Sequence, residues 1–186
     1  MTAVVIVVGA AVVLVAIGFV VGARRRRPVT ATAGSARRVL VPFTGGELEP
    51  TVLAAAIRIA RAEEATLVPA YLLVVPLELP ADAPVHAQVA VAMPLLEAVE
   101  NASLRAGVPV DARVESGRSP IHALQRLWEV ERFDRIVAPA PAGNGHANGN
   151  GHGFTPKDLT WMLVHAPSEL VILRPDPHAE RAGTTM

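Results

Sequence analysis

From residue 37 to about residue 175 the chain alternates between short continuous apolar runs and longer segments whose apolar residues recur every three or four positions. Arg38-Val-Leu-Val-Pro-Phe43 is one such run, closed by Thr44-Gly45-Gly46, and predicts a buried strand entering a turn. Residues 51–64 place Leu53, Ala56, Ile57 and Ala60 on one helical face, with Arg58, Arg61, Glu63 and Glu64 on the other. A second strand is predicted over residues 66–75, then a loop over 80–84. Val85, Val89, Met93, Leu96 and Val99 step along a second helix, with a kink expected at Pro94 and a stop at Gly107. A third strand is read over residues 108–114. Ser119-Pro120 starts the next helix, whose apolar stripe is Ile121, Leu124 and Trp128. Residues 135–138 form a fourth strand. Thr155-Pro156-Lys157-Asp158 carries a capping-box spacing ahead of Leu159, Met162 and Leu163, and residues 168–173 form a fifth strand. Strand–helix alternation repeated in this way predicts an α/β fold, a parallel sheet with helices on both faces. Ligands of such sheets bind beyond the carboxyl ends of the strands, where the winding reverses. The turn after the first strand and the Gly/Asn-rich stretch after the fourth are the loops expected to meet there.

Residues 3–22 break this pattern: twenty positions with no charge and no strong polar group. At about 1.5 Å rise per residue such a helix covers roughly 30 Å, the hydrocarbon thickness of a bilayer. Arg24 to Arg27 follow directly, and no Lys or Arg precedes them. The positive-inside rule then puts the N-terminus outside and the rest in the cytoplasm, a single-pass cell-membrane protein. A cleaved signal peptide fits less well, because the basic n-region is missing and the apolar stretch is too long. The expected organisation is an anchor (1–23), a basic stem and linker (24–36), an α/β domain (37–175) and a polar tail (176–186).

Charge changes the picture once it is divided this way. The whole chain balances 17 basic against 17 acidic residues, but six of the basic ones lie at or before Arg38, four in the stem and two at the entry to the domain. The remainder is acidic, which argues against a nucleic-acid partner, whereas the stem arginines suit an anionic membrane surface. The absence of cysteine excludes disulfides, thiolate metal sites and a cysteine nucleophile.

Several segments resemble the universal stress protein family. Val39-Leu-Val-Pro-Phe-Thr-Gly45 is similar to its opening strand and turn. Val108-Pro-Val-Asp-Ala-Arg-Val-Glu-Ser-Gly117 with Ser119-Pro120 looks like its third strand and next helix. His165-Ala-Pro167 before Leu170-Val-Ile-Leu-Arg-Pro175 is similar to its close. The resemblance covers residues 37–175. It implies a flavodoxin-like, doubly wound parallel five-stranded sheet in the order 3-2-1-4-5, commonly dimeric through the last strand, here Leu170, Val171, Ile172 and Leu173. Many members bind ATP or a related adenine nucleotide through an acidic residue after the first strand. Their fourth strand is followed by Gly, two residues, Gly, nine residues, then Gly with Ser or Thr. In this chain the acidic position falls on Thr44, beside Gly45. The glycine positions fall on Gly143, His146 and Pro156, with Lys157 in place of the hydroxyl residue. Glycine lets backbone N–H groups approach phosphate oxygens, and proline removes a donor. Gly145, Gly149, Gly151 and Gly153 could rebuild a cradle in another register, with Lys157 near an anion site at the helix start.

Other chemistry is sparse. Asn144-Gly-His146 recurs as Asn150-Gly-His152, but no third metal ligand is evident, and no metal is expected. Glu63-Glu64 and Glu129-x-Glu131 read as solvated faces, and His122 and His165 as surface residues. No Ser/His/Asp set, paired carboxylates or Walker loop is present, so an enzyme is not supported. The leading expectation is a membrane-tethered regulatory module acting through a homodimer and an unidentified membrane or cytoplasmic protein partner. The alternative is an adenine-nucleotide sensor using Thr44 and the loop from Gly143 to Lys157.

Overall fold

The computed structural model describes residues 37–45, 48–80, 85–140 and 154–174. The expected anchor and stem, the glycines of the long loop and the tail therefore lie outside the described residues. Among the described residues no helix is long and apolar enough to cross a membrane.

Five strands and four helices alternate: β1 (Arg38–Phe43), α1 (Pro50–Ala62), β2 (Thr66–Val74), α2 (His86–Arg105), β3 (Arg113–Gly117), α3 (Pro120–Val130), β4 (Arg135–Pro139), α4 (Pro156–His165) and β5 (Glu169–Leu173). All pairings are parallel and the sheet order is β3-β2-β1-β4-β5, as the resemblance implied. The alternation of side chains along each strand builds two cores. Val39, Val41, Leu67 and Val137 pack against Val52, Ala56 and Ala60 of α1 and Val99 of α2. Leu40, Val68, Leu72 and Ile136 pack on the other face against Leu124 and Leu127 of α3 and Leu159 and Met162 of α4. Both faces are covered, which is why β1 and β2 read as unbroken apolar runs.

Two prolines shape the central strands. Arg38 accepts the Asp134 N–H at its carbonyl (2.9 Å), so by alternation Leu40 and Pro42 also turn their backbone groups toward β4. Pro42 has no N–H to give, and the β1–β4 register covers only Val39↔Arg135 and Leu40↔Ile136, against six pairs between β1 and β2. Pro69 acts in the same way toward β3. The Leu67 N–H reaches the Pro109 carbonyl (2.9 Å) and the Asp111 N–H reaches Leu67 (2.9 Å). The next donor would be Pro69, and the ladder stops at a single bridge, Leu67↔Val110, before resuming at Ala70↔Arg113. This corrects the third strand, expected over 108–114 and found at Arg113–Gly117.

Other expectations also shift. The buried residues of α1 are Val52, Ala55, Ala56 and Ala60, with Leu53 and Ile57 only partly buried at its flanks, because the small residues allow close approach to the sheet. Helix α2 runs continuously through Pro94, and its buried line is Ala92, Leu96, Val99 and Ser103. Its stop is as expected, with Gly107 at φ +72°. In α3 the buried residues are Ala123, Leu124 and Leu127, while Ile121 and Trp128 are partly buried. Leu163, expected inside, is 63% exposed, since α4 covers an edge strand and buries only a narrow stripe. Gly117 is required by packing, because a Cβ there would lie 2.4 Å from the Ala123 nitrogen of α3.

Glu63 and Glu131 do not form solvated faces. At the amino end of the sheet Arg38 reaches Asp111 (2.9 Å) and Glu131 (2.8 Å), and Arg113 reaches the same two carboxylates (2.5 and 3.0 Å), closing a ring. Arg135 bridges Glu63 and Glu169, each at 2.6 Å. Burial pushes the Asp111 carboxyl above its ordinary value of 3.8, against the pull of Arg113 and Arg38. A raised carboxyl takes up its proton earlier in the folded chain than in the unfolded one. Ionised Asp111 is therefore a net cost at neutral pH, and that cost fades as pH falls from the folded value toward 3.8. In urea denaturation Asp111→Asn should be at least as stable as the wild type at neutral pH and lose its advantage on acidification. Arg113→Ala leaves Asp111 and Glu131 to Arg38 alone and should cost about 2 kcal/mol through the charge-assisted hydrogen bonds lost. Several kcal/mol lost by the Asn variant at neutral pH would contradict this.

Candidate functional site

The reversal of winding falls between β1 and β4, whose ladder is short, and the carboxyl ends of strands at such a reversal are where sheets of this kind take ligands. Thr44 and Gly45 follow β1 at this end. Thr44 is buried, 8% exposed, and Gly45 takes φ +83°, a left-handed turn that favours glycine. Beneath them Phe43 and Tyr71 meet edge to face, centroids 5.4 Å apart, and burial raises the Tyr71 phenol above its ordinary value, so it stays neutral at physiological pH. Pro156 and Lys157 open α4, the helix after β4, and both are exposed. Topology thus brings Thr44, Gly45, Pro156 and Lys157 to one end of adjacent strands. No hydrogen bond among the described residues joins the first pair to the second. Gly143, Gly145 and His146 lie outside the described residues.

The α4 N-terminus is already occupied. The Asp158 N–H donates to Thr155 Oγ1 (3.2 Å), while the Thr155 N–H and hydroxyl donate to Asp158 Oδ2 (2.9 and 2.7 Å). With Pro156 lacking an N–H, Lys157 is left to supply the remaining early backbone donor. The Asp158 carboxylate stands where an anion would be drawn by the helix dipole.

Two further residues finish this end of the sheet, and the sequence reading passed over both. The Thr66 N–H reaches β1, so by alternation Val74 turns its backbone the same way, beyond the last β1 partner pair, Phe43↔Tyr71. Gln88 of α2 fills that edge. Its Oε1 accepts from the Val74 N–H (3.1 Å) and its Nε2 donates to the Val74 carbonyl (2.7 Å). Arg118 donates to the carbonyls of Val75 and Pro76, tying the ends of β2 and β3 together. A polar residue one position before Val89 of the apolar stripe was the available signal for Gln88, and a cation directly after Gly117 the signal for Arg118.

Away from this end of the sheet, Trp128 and Trp161 stack at 5.5 Å, and Trp161 stacks on His165 at 4.6 Å. They line a shallow groove of about 310 Å³ between α3 and α4. His122 and His165 are exposed, as expected, and among the described residues no cluster could hold a metal.

The sheet order and the reversal between β1 and β4 define a flavodoxin-like, doubly wound α/β protein. Within that class the chain has the fold of the universal stress proteins. A universal stress protein family member from Burkholderia pseudomallei superposes with a TM-score of 0.56 at 22% identity, covering 77% of this chain and 99% of that one. UspA from Lactobacillus plantarum gives 0.56 at 16% identity over 76% and 99%. A universal stress protein in complex with cAMP gives 0.51 at 20% identity over 77% and 100%. No protein-family model and no curated protein matches the sequence.

Removing the Thr155 hydroxyl should expose the α4 terminus. Thr155→Ala is expected to lower stability by about 1 kcal/mol, read from the urea midpoint. An unchanged midpoint would mean the cap contributes nothing.

Proposed function

We propose that this chain is a membrane-tethered regulatory module of universal-stress-protein fold, acting through dimerisation and protein contacts and not taking ATP in the family's usual way. The observation that carries the second half is the Thr155–Asp158 capping box with Pro156 between them: the helix start that would receive a phosphate is filled by the chain's own carboxylate. Gln88 on Val74 supports the same reading, since a ligand using that peptide edge would have to displace a carboxamide that satisfies both its groups. The tether is residues 3–22, with the domain on the cytoplasmic side by the arginine asymmetry.

A second reading has its own support. The carboxyl ends of β1 and β4 are the place where such sheets take ligands, and a protein of this fold has been solved with cAMP. In that reading Thr44, Gly45 and the loop from Gly143 to Lys157, with His146 and Gly145, would hold an adenine nucleotide, and its binding would shift the population of partner-competent states. Calorimetric titration of ATP, with and without magnesium, separates the two. The expected result is no heat and no thermal stabilisation at millimolar ATP. Micromolar binding that weakens in Lys157→Ala would establish the sensor instead.

The dimer is proposed through β5. Among the described residues Glu169–Leu173 pairs only with β4, and Leu170, Val171, Ile172 and Leu173 are half-buried, leaving a backbone edge of an aliphatic strand to be covered. A second copy covers it symmetrically. Charged substitutions at Val171 and Ile172 should convert dimer to monomer in sedimentation, with circular dichroism showing the helices retained. A dimer that survives them would place the interface elsewhere.

A further inference from the structure

The chain has two tryptophans, and both stand in the same surface groove. Trp128 of α3 and Trp161 of α4 are only partly buried, and with Gln125, Glu129, His165 and Pro167 they line the space between the two helices. The three rings form a stair. Trp128 is nearly parallel to Trp161 (12°) and Trp161 to His165 (9°). Their centroids, 5.5 and 4.6 Å apart, are further apart than carbon atoms in contact, about 3.5–4.0 Å. Each ring is therefore offset from the next and leaves part of a face uncovered. His165 Nδ1 lies 2.9 Å from the Trp161 carbonyl, which can only accept, so this nitrogen carries the proton and holds the third ring against the second.

The polar groups of the groove are of particular kinds. The Trp128 indole N–H, a donor only, is shielded from solvent and has no acceptor among the described residues. Glu129 is the one carboxylate of the lining, no lysine or arginine lines it, and Glu129 forms no ion pair among the described residues. Arg126 of the same helix is drawn away, to Glu115 (3.6 Å) and the Ser116 carbonyl (3.4 Å). Of the exposed aliphatic residues of α4, Val164 adjoins His165 at the rim. Leu163 falls on the far side of the helix from Trp161, because two residues turn a helix by about 200°.

We propose that this groove binds a proline-rich segment of a partner protein that carries arginine beside its prolines. Proline rings pack on uncovered aromatic faces, and aromatic-lined grooves take such segments in the polyproline conformation. A run of prolines presents backbone carbonyls and no N–H, the complement of an indole donor without an acceptor. A turn of the Trp128 ring toward the groove gives that N–H a carbonyl where it now has none. An arginine beside the prolines meets the unpaired Glu129 and can stack on an indole face. The segment is extended before it binds, so little ordering opposes association. Such a partner gives a chemistry to the protein contacts proposed above, and its regulatory role rests on that reading.

Because both tryptophans line the groove, tryptophan emission of the full chain reads its occupancy. The probe is a heptapeptide of prolines between two terminal arginines, with both ends capped. The expected result is a saturable shift in emission, weakened about tenfold when alanine replaces the prolines. Glu129→Lys should weaken this peptide about tenfold and favour one with glutamate in place of arginine, with circular dichroism showing the fold retained. No shift at millimolar peptide would overturn the proposal, as would an equal response to the alanine peptide or to free arginine amide. Emission that changes on diluting the protein without peptide would mean that a second copy covers the groove, and would overturn it too. Sedimentation and the ATP titration read the dimer and the nucleotide separately, so failure of the groove is distinguishable from failure of the regulatory reading.

Discussion

The missing N–H of Pro42 is the constraint from which the rest of the sheet's organisation follows. A central strand of a parallel sheet normally pairs along both sides, and β1 does so fully with β2 but for only two residue pairs with β4. The loss falls where the winding reverses, the end at which sheets of this kind take their ligands. Pro69 removes a donor on the other side of the neighbouring strand, and there the effect is only a delayed start to β3. The difference lies in topology. Between β2 and β3 the helices continue on one side and close over the gap, whereas at β1 and β4 they part to opposite faces.

Position at the reversal does not make a binding site, and many of the groups at this end are turned to partners within the chain. Several orphaned backbone groups at the carboxyl end have a partner from the chain itself: the Asp158 N–H in Thr155, the Val74 edge in Gln88, and the carbonyls of Val75 and Pro76 in Arg118. Such groups must be satisfied in any folded protein. What distinguishes a ligand-binding end is that some are left for the ligand. Here a ligand would gain only the difference between its own bonds and those it breaks, and for a phosphate it would also meet the Asp158 charge.

The fold was legible because both faces of the sheet are covered, which makes the strands unbroken apolar runs and the helices periodic. The caps at Ser119 and Thr155 and the stop at Gly107 were readable for a local reason, since each satisfies its own turn. What could not be read depended on contacts distant in sequence. Glu63 and Glu131 look solvated beside their helical neighbours and are claimed by Arg135, Arg38 and Arg113 from other strands. Leu163 fits the helical period of α4 but lies past the edge of a sheet that ends with β5. At the candidate site Thr44, Gly45, Pro156 and Lys157 could be placed by motif register, and Gln88 could not, because its role depends on β1 ending before β2 does.

The two ends of the sheet have been given opposite treatments, and one physical rule accounts for both. Helix carboxyl ends and strand amino ends meet at the side where the chain arrives, and exposed carbonyls there favour arginine. Such arginines bind acidic side chains when these are near, as Asp111, Glu131, Glu63 and Glu169 are, and stay exposed without an ion pair among the described residues when they are not, as at Arg105 and Arg132. The opposite end has helix amino termini, where a carboxylate is the natural partner, and Asp158 takes that role within the chain. The basic groups of one end are thus largely paired across strands, and at the other end the start of α4 is capped from within the chain.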